Sequence, residues 1–352
     1  MLIFYILLFL IPFYKISFSG KGFCAEKSLS RDVTDSIKGF FIWLVFLSHF
    51  SGYVATDSYI DTLGFTISGL FGQLIVACFF FYSGYGVCEA INKRGNEYVK
   101  TFPKNRILKT LLHFDLAVCL YIVINILIGK NMSAKDVLLG LIGWEGLGNS
   151  NWYVFVILAM YLITWVAFSI IKSNIKSALI LITIFSLALI VILHFTRFSW
   201  WYDTLLCYIF GMWLSVYKHY FFNFITKNNS VWGIGLAVSF LIFAFIYILP
   251  ATLIGALLKR TIMAPLFCLI IAILLTKFTV SNKLLINSGR YLFEIYILQR
   301  IPMIVFKEIG ICDFNIYIYF ILCVAVTVVL SLLLRKCLTK FDSVVFKSVS
   351  KR

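Results

Sequence analysis

His49 is the residue whose type and position most directly suggest chemistry. It is the second-last residue of the apolar stretch IKGFFIWLVFLSHF, twelve residues after Ile37. At about 1.5 Å per helical residue, it would lie roughly 18 Å into a membrane, slightly past the midplane. An ionisable side chain at that depth is costly and marks function by default, and imidazole suits a general base or acid. The alternative is a histidine that only hydrogen-bonds to a neighbouring helix.

Lys38 precedes His49 by eleven residues, which is close to three helical turns. The two side chains should therefore share a helix face, about 16 Å apart. We expect Lys38 at the cytoplasmic rim and His49 near the core to line one cavity wall. Alternatively, Lys38 only extends its ammonium group to the inner membrane interface.

The second predicted cytoplasmic loop is basic and reads NKRGNEYVKTFPKNRILKTLLHF. Arg106 and Lys109 lie three residues apart in it and should share a face. Arginine binds phosphate through a bidentate fork and lysine as a point charge. The segment could hold a polyphosphate ligand from the cytoplasm, or it could anchor the chain against anionic lipid.

A Gly- and Asn-rich loop, GWEGLGNSNW, is predicted on the opposite side of the membrane. It contains Glu145, Asn151 and Trp152, which we predict to contact a hydroxylated substrate. The alternative is a connector rich in turn residues.

Other polar or small residues in apolar segments favour structural roles. The glycines of FFFYSGYGV, including Gly84, are typical of close helix packing. We expect Glu294 to pair with Arg290 one turn earlier. His113 and Asp115 could pair with a basic neighbour.

The composition places these residues in a membrane. Of the 352 residues, 62% are hydrophobic and 13% are charged, and the mean hydropathy is +0.97. A soluble domain has about 25% charged residues and could not hide this much apolar surface. The net charge of +16 suggests cytoplasmic loops that obey the positive-inside rule, and nothing indicates nucleic-acid binding.

We predict an all-α, polytopic bundle of about ten or eleven transmembrane helices. The candidate spans are Leu2–Phe18, Ile37–Val54, Phe65–Val87, Ile107–Ile128, Trp152–Ile171, Ala178–Phe195, Trp201–Tyr217, Val231–Leu249, Thr261–Phe278, Tyr291–Phe306 and Ile316–Leu334. Eleven spans with the N-terminus outside and the C-terminus in the cytoplasm put most of the 31 Lys and Arg residues on the cytoplasmic side.

The sequence also suggests boundaries within the chain. Leu2–Phe18 lacks basic residues before its apolar core, so an uncleaved anchor fits better than a signal peptide. We therefore distinguish an extra span with a basic linker (1–30), a membrane domain (31–335) and a basic cytoplasmic tail (336–352). The nine cysteines form no CxxC pair, so we expect no metal site and no structural disulfide.

Six landmarks in order resemble acyltransferase family 3, a family of membrane acyltransferases, from about Arg31 to the last span. They are RDVTDSIKGFFIWLVFLSHF, FFFYSGYGV, FPKNRILKTLL, NWYVFVILAMYL, WWYDTLLCYIFGMWLSVYK and FEIYILQRIP. The resemblance implies transfer of an acyl group, usually acetyl, from cytoplasmic acyl-coenzyme A to a hydroxyl of a cell-envelope glycan.

The resemblance also implies roles for individual residues. The family has an Arg and a His separated by ten residues, and these positions hold Lys38 and His49 here. Its basic loop has two Arg three residues apart, which here are Arg106 and Lys109. The family often has a His in its penultimate helix, and Gln299 occupies that position here. One possible proton acceptor is therefore missing, which gives His49 more weight as the catalytic residue.

The sequence thus predicts an O-acyltransferase, using acetyl-coenzyme A and no metal, in the inner (plasma) membrane. Its partners would be the acyl-coenzyme A, a surface polysaccharide or the lipid-linked precursor of one, and the lipid bilayer. His49 would be the catalytic base or the acyl carrier, and Lys38, Arg106 and Lys109 would bind the coenzyme phosphates. The alternative is a transporter or flippase for an anionic metabolite or a lipid-linked glycan, which would use the same buried cations.

Overall fold

The chain folds into a helical bundle. The computed structural model describes residues 2–55, 59–172 and 174–346. Its α-helices are α1 (Leu2–Leu10), α2 (Ala25–Ser28), α3 (Arg31–Ser51), α4 (Tyr59–Phe71), α5 (Leu74–Arg94), α6 (Asn96–Phe102), α7 (Lys109–Leu127), α8 (Ala134–Leu141), α9 (Trp152–Ile170), α10 (Ile175–Thr196), α11 (Leu206–Ile225), α12 (Asn229–Ile248), α13 (Ala251–Ile254), α14 (Ala256–Leu275), α15 (Lys283–Arg290), α16 (Leu292–Leu298), α17 (Arg300–Glu308), α18 (Ile311–Phe314) and α19 (Ile316–Val345). Short 3₁₀-helices lie at Ile11–Phe13 and Ser199–Trp201, a π-helix at Pro103–Leu108, and strands β1 and β2 at Ile16–Phe18 and Phe278–Val280.

The predicted all-α membrane bundle is confirmed. Within the described ranges, eight helices are long and apolar enough to cross a membrane. They are Arg31–Ser51, Leu74–Arg94, Asn96–Leu127, Trp152–Ile170, Ile175–Thr196, Asn229–Ile248, Ala256–Leu275 and Ile316–Val345. Ser239 is the one residue of α12 that is buried, so much of the surface of this helix is left to lipid.

Three other predicted spans are shorter or more polar. The helix α1 and its 3₁₀ extension end at Phe13, which gives about 20 Å, less than the roughly 30 Å hydrocarbon core. The predicted span Trp201–Tyr217 is the 20-residue α11, which begins later and carries Lys218 and His219. The predicted span Tyr291–Phe306 is broken into α16 and α17.

The predicted span Phe65–Val87 is also divided. Gly72 has a φ of +45°, a left-handed conformation that suits glycine, and separates α4 from α5. The span therefore consists of α5, which runs from Leu74 to Arg94.

Glycines bring two helix pairs into close contact around the core. A Cβ on Gly84 of α5 would lie 1.9 Å from the Tyr208 carbonyl oxygen of α11, and one on Gly211 of α11 would lie 2.1 Å from the Phe81 carbonyl oxygen. A second reciprocal pair, Gly39 of α3 and Gly289 of α15, approaches equally closely. The prediction that Gly84 serves helix packing is therefore confirmed.

The N-terminal segment is joined to the rest of the bundle. Strand β1 pairs antiparallel with β2 in the register Ile16 to Val280. At the other end of the segment, the Phe4 ring stacks on Phe320 near the start of α19, with centroids 4.0 Å apart. The helix α1 therefore runs along the bundle from the side where α19 begins to the side where α14 ends.

Candidate active site

His49 lies in the last turn of α3 and is half-buried. Its Nδ1 is 3.4 Å from the hydroxyl of Ser150, a buried residue of the loop between α8 and α9. The ring of Tyr296, on α16, lies 6.4 Å from the imidazole, measured between centroids. Because Ser150 engages Nδ1, Nε2 is the ring nitrogen available to a ligand.

The loop that carries Ser150 is fixed by its own polar groups. Gly148 adopts a φ of +101°, which a side chain would strain. The Asn149 side chain accepts a hydrogen bond from the backbone N–H of Leu147 at 2.9 Å, and Asn125 of α7 donates to the Leu147 carbonyl at 2.8 Å. The Gly- and Asn-rich sequence therefore gives a rigid turn that holds the Ser150 hydroxyl against His49.

His49 lines a cavity of about 490 Å³, hereafter the outer cavity. Its other chemically notable residues are Tyr53, Lys130, Arg300, Lys307 and Glu308.

Arg300 is the inner cation of this cavity. It donates from Nε to the Tyr53 hydroxyl at 2.8 Å and from Nη1 to the Asn149 carbonyl at 3.4 Å. Among the described residues, no carboxylate forms an ion pair with Lys130, Arg300 or Lys307. Three cations and one carboxylate give the cavity a positive character, which favours polar or anionic ligands.

A second cavity, of about 380 Å³, reaches the back of the His49 site from the opposite side of the bundle. We call it the Lys109 cavity, and its lining includes Lys109, His113, Tyr153, Tyr296, Arg335 and Asp342. At its deep end, the rings of Tyr153 and Tyr296 are 5.4 Å apart. Tyr296 thus stands between the Lys109 cavity and His49.

Ion pairs hold the cations at the mouth of the Lys109 cavity. Lys109 lies 2.6 Å from Asp342, which His113 also contacts at 2.7 Å. Arg335 lies 2.5 Å from Glu294. The expected pairing of His113 with a basic neighbour is wrong, because Asp342 on α19 is its partner.

A third cavity, the Lys38 cavity, has a volume of about 710 Å³ and lies at the same end of the bundle as the Lys109 cavity. Its charged residues are Arg31, Lys38, Glu89, Lys93 and Lys218. Lys38 pairs with Asp35 at 2.7 Å, and Lys218 pairs with Glu89 at 2.7 Å. The Lys38 cavity therefore has more cationic than anionic side chains in its lining.

Lys38 and His49 do not line one cavity wall, and that prediction is wrong. Lys38 lines the Lys38 cavity, whereas His49 lines the outer cavity. The intervening turns of α3 are packed in the core, with Phe41, Ile42 and Phe46 at most 3% exposed. Helical periodicity put the two side chains on one face, but neighbouring helices cover that face between them.

A comparison with known families gives the arrangement a context. Residues 34–336 match the acyltransferase domain of acyltransferase family 3, which covers most of the chain. The chain belongs to this family. No curated protein and no solved structure matches the chain. It is therefore a membrane acyltransferase, and the resemblance found in the sequence is confirmed.

The two predicted cations of the acyltransferase's basic loop have different surroundings. Arg106 lies in the π-helix Pro103–Leu108 and donates from Nε to the Tyr98 hydroxyl at 2.9 Å. Lys109 begins α7 and pairs with Asp342. The prediction that the two share a face assumed regular α-helical spacing, and the wider turn of the π-helix breaks that spacing.

The three residues predicted to bind the acceptor do not line the outer cavity. Glu145 pairs with Arg197 at 2.9 Å, and the Asn151 side chain donates to the Gly143 carbonyl at 2.7 Å. Trp152 is half-buried at the start of α9. These contacts fix the loop, while its member Ser150 reaches His49.

Glu294 and Gln299, in α16 and directly after it, make contacts that the sequence did not predict. The predicted Glu294–Arg290 pair is wrong: Glu294 pairs with Arg335, and Arg290 pairs with Asp32 at 2.9 Å. Gln299, which stands where the family often has a His, is fully buried. It donates to the Tyr296 carbonyl at 3.0 Å, while its side-chain oxygen has no partner in the described part of the chain.

Sequence reasoning missed Ser150, Tyr296 and Arg300 as members of the site. Arg300 carried a usable signal, because a cation inside an apolar segment is costly without a purpose. Ser150 and Tyr296 carried none, because serine and tyrosine are common in loops and helices and their proximity to His49 depends on the fold.

Proposed function

We propose that this acyltransferase transfers an acyl group, in the first instance acetyl, from a cytoplasmic acyl-coenzyme A to a hydroxyl of a surface polysaccharide or its lipid-linked precursor. The observation that carries the proposal is the position of His49. It lines the outer cavity, and its ring lies 6.4 Å from the ring of Tyr296, which lines the Lys109 cavity. A thioester and a hydroxyl that arrive from opposite faces would meet there.

His49 and Ser150 suit an acyl transfer by general base catalysis. When the Ser150 hydroxyl accepts a hydrogen bond from Nδ1–H, Nε2 carries the free lone pair. The acceptor oxygen then forms a bond to the acyl carbon while its proton passes to Nε2. The carbon–sulfur bond breaks, and the proton returns to the departing thiolate. In the alternative role, Nε2 forms a bond to the acyl carbon and the carbon–sulfur bond breaks, which releases the thiolate. The acceptor oxygen then bonds to that carbon as the carbon–nitrogen bond breaks, and the hydroxyl proton neutralises the thiolate.

The Lys109 cavity is the proposed donor path. Lys109 and Arg335 at its mouth would bind the coenzyme phosphates, and the slot beside Tyr153 and Tyr296 would receive the acyl end. Of the other predicted phosphate ligands, Arg106 contacts Tyr98, and Lys38 lines a separate cavity. The Lys38 cavity also carries an excess of positive charge, so it is the alternative site for the coenzyme.

We place the chain in the plasma membrane, where the positive-inside rule favours an orientation with the mouths of the Lys109 and Lys38 cavities in the cytoplasm. In this orientation α3 begins in the cytoplasm, and His49 lies near the outer end of that helix. The N-terminus would be outside and the C-terminus in the cytoplasm, with the acceptor glycan reaching the outer cavity from outside.

Radiolabel transfer tests the function. Membranes that contain the parent chain should move label from acetyl-coenzyme A to base-labile positions on the host's envelope glycan. His49→Ala at matched abundance should lower the rate by roughly 10²- to 10⁴-fold. If label transfer is unchanged by this substitution, His49 has no catalytic role. If no acyl-coenzyme A yields label, the alternative of a transporter or flippase is favoured.

Charge removal at the two cytoplasmic cavities tests the donor path. Lys109→Gln together with Arg335→Gln should raise the KM for acetyl-coenzyme A, with little change in the KM for the glycan. The matched control is Lys38→Gln together with Lys93→Gln, which removes the same charge from the Lys38 cavity. If only the control pair raises the donor KM, the coenzyme binds in the Lys38 cavity instead.

A further inference from the structure

A separate cavity of about 370 Å³ is lined by the end of α4, the start of α5, the loop after α10, and residues near the end of α12 and the start of α14. We call it the Trp200 cavity, and its lining includes Gln73, Trp200, Asp203, Thr204, Tyr247 and Arg260.

The Trp200 cavity lies on the same face of the bundle as the outer cavity. Trp201, next to Trp200, packs against Trp144 with ring centroids 5.7 Å apart. Arg197, at the end of α10, pairs with Glu145. Trp144 and Glu145 belong to the loop that brings Ser150 to His49, so one loop connects the two cavities.

Three side chains in the wall of the Trp200 cavity have oxygen atoms without partners. They are Gln73 Oε1, Asp203 Oδ1 and Thr204 Oγ1, which receive no hydrogen bond within the described ranges. Asp203 and Thr204 are at most 3% exposed. Leaving a buried polar group without a hydrogen bond is destabilising, so three in one wall are unexpected without a ligand. All three can accept hydrogen bonds from hydroxyl groups.

The charge of the Trp200 cavity does not favour an anion. Arg260 is its cation among the described lining residues, and it donates to the second carboxylate oxygen of Asp203 at 3.1 Å and to the Ser199 hydroxyl. The pair leaves almost no net charge, in contrast to the outer cavity with its three cations. A neutral ligand rich in hydroxyl groups fits this wall better than a phosphate.

Two aromatic side chains complete the wall. Trp200 is 40% exposed and Tyr247 is 41% exposed. Aromatic faces beside hydrogen-bond acceptors present the two surfaces that a sugar ring needs, one for its C–H face and one for its hydroxyls. Tryptophan and tyrosine also anchor helices at membrane interfaces, so an experiment must separate the two roles.

We propose that the Trp200 cavity binds one neutral sugar unit of a glycan, and so serves as a second glycan subsite on the face that bears the outer cavity. This inference rests on the proposed function for the identity of the glycan as the acceptor, although sugar binding itself requires no acyl transfer. A chain held at the Trp200 cavity would be kept near His49 while another of its sugars reacts.

Binding to the full-length His49→Ala chain in lipid nanodiscs tests the subsite without any chemistry. The probes are chitotetraose, maltotetraose and the delipidated envelope glycan of the host, detected by saturation-transfer NMR. At least one probe should bind, and Trp200→Ala should weaken that binding by about tenfold or more. Phe195→Ala, an aromatic position on α10 that is 81% exposed and does not line the cavity, is the matched control and should change nothing.

Thr204→Val gives a second readout that a purely structural role would not produce. This substitution removes an unpaired hydroxyl at nearly constant shape, so the Tm of the chain should stay the same or rise while sugar binding weakens. Binding that is unchanged by both Trp200→Ala and Thr204→Val makes Trp200 an interfacial anchor only and overturns the subsite. Absence of binding for every probe overturns it as well.

The two proposals can fail separately. Label transfer from acetyl-coenzyme A without any sugar binding to the Trp200 cavity would leave the acyltransferase function standing and remove the subsite. Sugar binding that depends on Trp200, without any label transfer, would support the subsite and remove the proposed donor and reaction.

Discussion

At the scale of single residues, the Ser150 hydroxyl is the contact that fixes the ring of the half-buried His49. The Ser150 oxygen lies 3.4 Å from His49 Nδ1. Side-chain hydrogen bonds of Asn125 and Asn149 fix the turn that carries Ser150. A general base whose ring is held in one orientation is preorganised for proton transfer. We therefore expect Ser150 to act as a positioning residue for His49.

Ser150→Ala should lower kcat and leave the KM for acetyl-coenzyme A unchanged. The loss of one hydrogen bond worth about 1 kcal/mol corresponds to roughly a fivefold to tenfold decrease. Initial-rate measurements of label transfer in membranes provide the test, and Ser150→Thr, which keeps a hydroxyl, should recover part of the rate. A change confined to KM would show that Ser150 contacts a substrate instead.

Asp203 makes a prediction about pH. It lies in the loop between α10 and α11, outside the membrane-spanning helices, where burial raises its pKa to about 6 although Arg260 opposes the shift. Since this value lies above the usual one of 3.8, the stability that protonation contributes is complete below about pH 4. It is lost as the pH rises through 6.

Asp203→Asn should therefore become more stable relative to the parent as the pH rises from 4 to 7. Asparagine stays neutral throughout, so only the parent bears the cost of ionising a buried carboxyl group. The measurement is the difference in Tm between the two proteins in detergent across that pH range. A difference that shrinks with rising pH would show that the pair with Arg260 outweighs burial.

At the scale of elements, close helix contacts and helix breaks decide where the site residues point. The π-helix Pro103–Leu108 turns Arg106 toward Tyr98. The break between α16 and α17 at Gln299 brings Tyr296 to one side of His49 and Arg300 to another. These irregular segments shape the site more than the straight spans do.

The contact between α5 and α11 should tolerate no added methyl group. Gly84→Ala would put a Cβ 1.9 Å from the Tyr208 carbonyl oxygen, so the helices must separate, at a typical cost of about 1–3 kcal/mol or more. Gly86→Ala is the matched control, because its Cβ would meet nothing within 4 Å. Thermal unfolding in detergent should show a lower Tm for Gly84→Ala alone. Equal Tm values would contradict the close packing.

At the scale of the whole molecule, the cavities open at two opposite ends of the bundle. The Lys38 and Lys109 cavities open at one end and the outer cavity at the other. The antiparallel pair of β1 and β2 places the segment after α1 beside the end of α14, at the end that the positive-inside rule assigns to the cytoplasm.

Labelling of intact cells tests this orientation. Lys130→Cys, at the mouth of the outer cavity, should react with a membrane-impermeant maleimide above the parent's own labelling. Lys93→Cys, in the Lys38 cavity, should react only after the cells are opened. The reverse pattern would place the acceptor site in the cytoplasm and overturn the proposed orientation.

The sequence by itself determined that the chain is a helical membrane protein of acyltransferase family 3, and it singled out His49 as the candidate catalytic residue. These follow from hydropathy, charge and ordered landmarks, which are local properties of the chain. These conclusions do not depend on the exact helix boundaries. The predicted span Phe65–Val87, for example, is divided at Gly72 without any change in the fold class or the family.

Only the tertiary structure decided which side chains share a cavity. Lys38 and His49 were expected together and are separated by the packed core of α3. Ser150 and Tyr296, distant in sequence, lie against His49. Periodicity reports which way a side chain points along its own helix, whereas proximity depends on the neighbouring helices, their glycine contacts and their breaks.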